Sequence, residues 1–317
     1  MPDGHVRVGV VGATGAVGTV TLELLAERGF AAVRAFASVR SAGKRVRFGG
    51  TELAVEEATP DALEAGDLDL AFFSVGTDAS RELVPHAVRG GAVCIDKSDA
   101  YRLSDGIPLV VAGVNDAILD HDEIVANPNC SAIQLACVLR PLQDAAGIER
   151  VRLATYQSAS GAGDAGIERL KSLVPAEADL AMDWDLDGDE FSEEWKLRAE
   201  TRKILNLPDL PLQATCVRVP VLVGHAQAIW VETQEPLSPE HARAALADAP
   251  GIELADLPTP KDAAGGDSVL VGRIRQDSAQ KENGLALWAV CDNLRKGAAL
   301  NAVQIADLLL ERRLIAV

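Results

Sequence analysis

The chain has 317 residues, of which 48% are hydrophobic and 24% charged, a length that favours two hydrophobic cores and a composition that excludes a disordered or fibrous chain. Its formal charge of −17 opposes any grip on nucleic acid or anionic lipid, and no local basic patch offsets it. No apolar run reaches the roughly 18–20 residues that cross a bilayer, and the N-terminus lacks a signal-peptide pattern, so a cytoplasmic protein without a membrane partner is expected. Five cysteines, Cys94, Cys130, Cys137, Cys216 and Cys291, form an odd set without paired spacing, which argues against a disulfide framework or a zinc site; no metal is expected.

Residues 6–11 are a nearly continuous β-branched run, followed by Gly12-Ala13-Thr14-Gly15-Ala16-Val17-Gly18 and an amphipathic stretch over residues 19–28. This order predicts strand, glycine turn and helix. Further apolar runs at 33–37, 68–73, 92–95 and 109–111 alternate with helix-compatible segments such as 79–89, the rhythm of a parallel sheet covered on both faces. The fold class is therefore α/β, opening with a doubly wound, Rossmann-like domain over about the first 125 residues. Beyond Cys130 the segments 151–158, 213–223, 227–234, 269–275 and 285–291 are longer and alternating, which suits a second, α+β domain with an antiparallel or mixed sheet. Between them, residues 177–194 are acidic; counted from Asp183, Gly188 and Glu194 take the sixth and twelfth places of a calcium loop, but without flanking helices the stretch reads as a solvated insertion. Residues 296–312 predict a closing helix.

Glycines at 12, 15 and 18 let backbone amides approach a pyrophosphate at a helix N-terminus, where the macrodipole favours negative charge. The second strand then runs into Ser38, Arg40 and Ser41. A cation and hydroxyls, where an NAD enzyme places an acid, suit the 2′-phosphate of NADP(H). Cys130 follows Asn127-Pro128-Asn129 and opens an apolar helical run over residues 132–139. A thiol at a helix start has its thiolate stabilised by the dipole and can serve as a nucleophile towards an aldehyde or acyl phosphate, whereas the other four cysteines read as core residues. His225 follows the arginine-bearing segment 218–224; the pattern alone leaves a structural and an acid/base role equally open.

Gly12–Gly18, Ser38–Ser41, Asn127–Ser131, Tyr156–Gly163, Glu200–Ile204, Arg218–His225 and the run from Asp292 to Ala299 together resemble the aspartate-semialdehyde dehydrogenase family nearly end to end. The resemblance implies NADPH-dependent, reversible reductive dephosphorylation of β-aspartyl phosphate to aspartate 4-semialdehyde, on the route to lysine, threonine and methionine. It implies that Cys130 forms the thioester, Gln157 orients the tetrahedral intermediate and His225 is the acid/base. Arg218 would clamp the substrate carboxylate, Arg102, Asn129 and Lys196 would hold phosphate, and Glu194 would contact the substrate amino group. The cofactor would meet Gly12, Thr14, Gly15, Ala16, Val17, Gly18, Ser38, Arg40, Ser41, Ser74, Gly76, Ser160, Gly161 and Asn293. The family pattern further implies a nucleotide domain of residues 1–129 with 296–317, a catalytic and dimerisation domain of residues 130–295, and a homodimer or homotetramer. Lys97, Asp99 and Gly113 depart from the family's usual residues, which keeps open a paralogue acting on a related acyl phosphate. An inactive nucleotide-binding homologue is the non-enzyme alternative.

Overall fold

The computed structural model describes residues 5–173, 182, 184–280 and 282–315. Asp179 and Asp183 of the acidic stretch lie outside the described residues. The chain divides into two compact units, Met1–Pro128 with Ala298–Val317, and Asn129–Gly297.

In the first unit, β1 (Arg7–Val11) leads through the glycine turn into α1 (Ala16–Glu27) and β2 (Ala32–Ala37). A hairpin of β3 (Arg45–Phe48) and β4 (Thr51–Glu57) follows, then α2 (Pro60–Glu64), β5 (Leu70–Phe73), α3 (Thr77–Arg89), β6 (Val93–Asp96) and β7 (Ile124–Ala126). The sheet order is β3-β4-β2-β1-β5-β6-β7, parallel except for the β3–β4 hairpin. Val8 and Val10 of β1 are fully buried with Leu70 and Phe72 of β5 and with Leu22 and Leu25 of α1, since a parallel sheet covered on both faces leaves no polar side for its central strands. Sheet order reverses beside β1, between β2 and β5, and that reversal places a crevice at the carboxyl ends of the strands.

The turn that enters this crevice requires glycine. Gly12 has φ +86°, and a Cβ there would lie 2.3 Å from the Ser74 carbonyl oxygen. A Cβ on Gly18 would lie 2.1 Å from the Gly12 carbonyl oxygen, so helix and turn touch backbone to backbone.

The second unit contains α4 (Cys130–Ala146), β8 (Ile148–Gln157), α5 (Gly163–Leu173), β9 (Leu186–Asp187), β10 (Glu190–Phe191), α6 (Ser192–Leu205), β11 (Leu212–Arg218) and β12 (His225–Thr233). It continues with α7 (Pro239–Ala247), β13 (Ile252–Leu254), α8 (Pro260–Ala263), β14 (Val269–Gln276) and β15 (Gly284–Cys291). Its main sheet has the order β11-β8-β12-β15-β14-β13 and is mixed, with β8–β11 and β13–β14 parallel and the rest antiparallel. Along β8, Val151, Leu153, Thr155 and Gln157 are buried while Arg152, Ala154 and Tyr156 are more open, the period of two expected of a strand with one covered face. The covering element is α4, buried along most of its length against β8, β12, β14 and β15, with α6 and α7 beside it. The final helix, α9 (Leu300–Glu311), returns to the core of the first unit.

Three expectations change. Residues 109–111 form no strand; Leu109 makes only an isolated bridge to Ala126, and β7 takes the sheet edge. The strand expected over 213–223 ends at Arg218, because Pro220 two residues on has no N–H for a ladder. The closing helix expected over 296–312 opens with a π-helical turn, Arg295–Ala299, and becomes α-helical at Leu300. Among the described residues, no helix is long and apolar enough to cross a membrane, and no group of three or more His, Cys, Asp or Glu side chains could hold a metal ion.

Candidate active site

The first unit offers an anion cradle. Gly15 caps α1 without a side-chain hydrogen bond, and the first turn carries no acid, so the amides at Ala16, Val17 and Gly18 present the positive end of the helix dipole. A Cβ on Gly15 would meet nothing nearer than 3.5 Å, and one on Gly76, the cap of α3, nothing within 4 Å. Both caps stay open to a large ligand. Thr14 lies half-buried in the turn, and Ser74 follows β5 with its amide on the Val11 carbonyl at 2.8 Å. After β2, the Ser41 amide closes a turn onto the Ser38 carbonyl at 2.8 Å, leaving Ser38 and Arg40 exposed. Lys44, which the sequence reading passed over, sets its ammonium 3.3 Å from Ser41 Oγ and adds a second cation to the turn.

The loop after β6 is tied to the same end of the sheet. Lys97 donates to Thr21 Oγ1 at 2.6 Å and to Ser74 Oγ at 2.8 Å. Desolvation pushes this ammonium down to about 7, against the opposing pull of Asp96. Asp96 accepts from Ser80 Oγ and Ser98 Oγ, each at 2.6 Å, and its burial raises its own pKa. Asp99 accepts from Thr77 Oγ1 at the start of α3. Arg102 is 9% exposed; Nη2 donates to the Lys97 carbonyl at 2.7 Å and Nε to the Asn127 carbonyl at 3.1 Å. Gly113 stands apart in a turn closed on Asp116, its amide 2.8 Å from the carboxylate.

In the second unit Cys130 is the first residue of α4 and half-buried, whereas Cys94, Cys137, Cys216 and Cys291 are all buried. Burial pushes those four thiols up, Cys216 to about 12. Asn129 caps the helix: its Oδ1 accepts from Ser131 N at 2.8 Å and from Ala132 N at 3.3 Å. With those amides satisfied by the cap, the thiol at the first helical position still feels the dipole. A Cβ on Gly297 would lie 3.0 Å from the Cys130 Cβ, so only glycine admits the chain that close.

Sheet register assembles the groups that accompany the thiol. Gln157 at the end of β8 pairs with Arg218 at the end of β11, and Ala226 of β12 pairs with Tyr156, so Gln157, Arg218 and His225 share one end of three adjacent strands. Gln157 Nε2 donates to Glu193 Oε1 at 2.9 Å, and Asn129 Nδ2 reaches the same carboxylate at 3.1 Å. Glu193, at the start of α6, thus holds both the cap of α4 and the amide of Gln157. Glu194, the sequence candidate, is engaged otherwise: Oε2 accepts from Phe191 N at 3.0 Å and Oε1 from Cys216 N at 2.9 Å. Lys196 stands half-buried on α6, within one turn of Glu193.

His225 is fully buried, and burial together with the Arg218 charge pushes its pKa down to about 3. The Ser158 amide donates to Nδ1 at 3.0 Å, so the neutral ring carries its proton on Nε2. That nitrogen is buried and has no protein partner. Asn293 organises the surrounding loop: Oδ1 accepts from Ser158 Oγ and Gly224 N, each at 2.9 Å, and Nδ2 donates to Ser160 Oγ at 3.0 Å. Gly161 completes the wall, since a Cβ there would lie 2.9 Å from Arg218 Nη1 and 3.0 Å from His225 Nε2. Arg218 Nη1 donates to the Ser158 carbonyl at 3.1 Å. The structure therefore links Asn129, which precedes Cys130, to Gln157 through Glu193, and Arg218, His225, Ser160, Gly161 and Asn293 through the loop after β8, all in the second unit; Arg102, bonded to the Lys97 and Asn127 carbonyls, lies in the first.

A doubly wound unit with an anion-ready turn, joined in one chain to a mixed-sheet unit with a half-buried thiol at a helix start, defines the semialdehyde dehydrogenase class. The family description "Semialdehyde dehydrogenase, NAD binding domain" matches residues 7–121, and "Semialdehyde dehydrogenase, dimerisation domain" matches residues 181–296. The aspartate-semialdehyde dehydrogenase of Corynebacterium glutamicum is 44% identical over 96% of this chain and 99% of that protein. The crystal structure of aspartate semialdehyde dehydrogenase II complexed with ASA from Vibrio cholerae has a TM-score of 0.91 at 42% identity, covering 96% of this chain and 98% of that one. The Candida albicans aspartate semialdehyde dehydrogenase crystallised with NADP has a TM-score of 0.77 at 26% identity, covering 98% and 99%. The chain belongs to the aspartate-semialdehyde dehydrogenase family.

Proposed function

We propose that this protein catalyses the reversible, NADPH-dependent reductive dephosphorylation of β-aspartyl phosphate to aspartate 4-semialdehyde, as a cytoplasmic homodimer on the route to lysine, threonine and methionine. One observation carries the reading: of the five cysteines, Cys130 alone escapes burial, and it does so at a helix start beside Asn129 and Gln157, both held on Glu193.

The Cys130 thiolate attacks the acyl carbon of the acyl phosphate and expels phosphate, leaving a thioester. NADPH, when bound, supplies the hydride that reduces it. The resulting oxyanion on the sulfur-bearing carbon takes a hydrogen bond from His225 Nε2–H, a buried donor without a protein partner, and collapses to aldehyde and thiolate. Because Ser158 N–H occupies Nδ1, His225 rests as a donor to the oxyanion and not as a base. Arg218 clamps the substrate carboxylate, Glu193 faces its ammonium, and Asn129 and Lys196 hold the phosphate.

The cofactor fits the residues present. Gly12 and Gly18 close the turn backbone to backbone, the helix start is open, and Arg40 and Lys44 with Ser38 and Ser41 offer two cations and two hydroxyls to a 2′-phosphate. Thr14, Ser74 and Gly76 complete the nucleotide site. The dimer reading rests on the open face of the second sheet, where half-buried Tyr156, Trp230 and Trp288 lie beside Ala154 and Ala228, an apolar surface suited to a second copy. The test is spectrophotometric. NADPH should form from aspartate 4-semialdehyde and NADP only when phosphate is present, and Cys130→Ala should abolish it in a protein that melts like wild type; turnover without Cys130 would overturn the proposal.

A further inference from the structure

Arg218 is held from a direction that its role as a clamp does not require. Its guanidinium carbon lies 4.6 Å from the centroid of the Trp184 ring, and that indole leans on Phe191 with centroids 6.4 Å apart at 52°. Phe191 ends β10 and immediately precedes α6, the helix that carries Glu193 and Lys196. One edge of the guanidinium is already fixed, with Nη1 on the Ser158 carbonyl at 3.1 Å, and the backbone of Gly161 closes in on the same nitrogen. A planar cation with one edge bonded and one face covered keeps a single orientation. A carboxylate binds a guanidinium in its plane, through two parallel N–H donors, and the covered face costs that geometry nothing. The ring also removes water from above the cation, which strengthens its attraction for an incoming anion.

We propose that Trp184 is a positioning residue for substrate binding: its indole fixes the plane of the Arg218 guanidinium, couples it through Phe191 to the start of α6, and walls the carboxylate end of the site. The inference rests on the reading of Arg218 as the carboxylate clamp. A wall of this kind also limits what the site admits, because bulk beside the substrate carboxylate meets the indole.

Steady-state kinetics with aspartate 4-semialdehyde decide it, using Trp184→Phe, Trp184→Leu, Trp184→Ala and Arg218→Ala. Losing a desolvated cation–π contact should raise KM for the semialdehyde about tenfold in the Leu and Ala variants, with kcat and the KM for NADP unchanged, and Phe should recover most of the loss. Trp184→Leu keeps apolar volume, so its thermal melt separates lost stacking from lost folding. The indole should also report directly: titrating the semialdehyde without NADP should quench tryptophan emission in wild type and much less in Trp184→Phe. If Arg218→Ala raises KM while the Trp184 variants match wild type, or if they lower kcat alone, the positioning role is wrong and the clamp stands. If Arg218→Ala itself leaves KM unchanged, the clamp reading fails and this inference fails with it.

Discussion

Glu193 and Glu194 are adjacent carboxylates about 100° apart around α6, and that rotation separates two jobs. Glu193 holds Asn129 and Gln157; Glu194 satisfies the amides of Phe191 and Cys216. Weakening hydrogen bonds to a charged acceptor costs about 1.5–3 kcal/mol, and in Glu193→Gln the loss falls on the residues beside the thiol, so kcat/KM should drop by about tenfold or more together with the melting temperature. Glu194→Gln should lower the melting temperature with kcat/KM preserved. Paired melts and kinetics check both. Residue pattern could not separate the two, because nothing in an acidic pair says which member faces a site, whereas the helix start at Cys130 was legible from the cap and apolar run around it. His225 gives a pH signature. Its folded pKa, about 3, lies below the ordinary histidine value near 6.5, so its neutral burial stabilises the fold fully above roughly pH 6.5, and that contribution is lost as the pH falls towards 3. Wild type should lose stability on acidification with a slope up to about 1.4 kcal/mol per pH unit steeper than His225→Gln, measured by denaturant melts between pH 7 and pH 4.

Elements position these groups through register and close approach. β11, β8 and β12 bring Arg218, Gln157 and His225 to one end, and Gly161 lets the loop after β8 press on two of them. Gly161→Ala needs no unusual backbone, yet its methyl meets both Arg218 and His225 within about 3 Å. Kinetics should show kcat/KM reduced on the order of tenfold or more. In the first unit, the turn after β2 carries Arg40 and Lys44; Arg40→Ala and Lys44→Ala should each weaken NADPH far more than NADH by calorimetry, and equal losses would remove the 2′-phosphate argument. The strand–turn–helix opening was legible because Gly12 and Gly18 sit where backbone meets backbone. The β3–β4 hairpin and Lys44 just before it were not, since β3 spans only Arg45–Phe48 and both strands are largely exposed. Residues 109–111 misled for the opposite reason: Leu109, Val110 and Val111 are fully buried, but burial alone does not make a strand.

For the whole molecule, two units of different sheet type divide the chemistry: the doubly wound unit carries the glycine turn and its cations, the mixed-sheet unit the thiol, imidazole and guanidinium. That change of pattern near Cys130 is visible in the sequence because parallel strands read as continuous apolar runs and half-covered strands alternate. The apolar face bearing Tyr156, Trp230 and Trp288 was not, because alternation shows which residues leave one core but not what covers them. A charge on that face, Ala228→Glu, should shift the species seen by light scattering from dimer to monomer. The central claim is that Cys130 carries the acyl group, and intact-protein mass spectrometry tests it most directly. With aspartate 4-semialdehyde and NADP present and phosphate withheld, the protein should gain one aspartyl group, which maps to Cys130 and disappears when phosphate is added. An adduct on another residue, or full turnover with no adduct on Cys130, would contradict it.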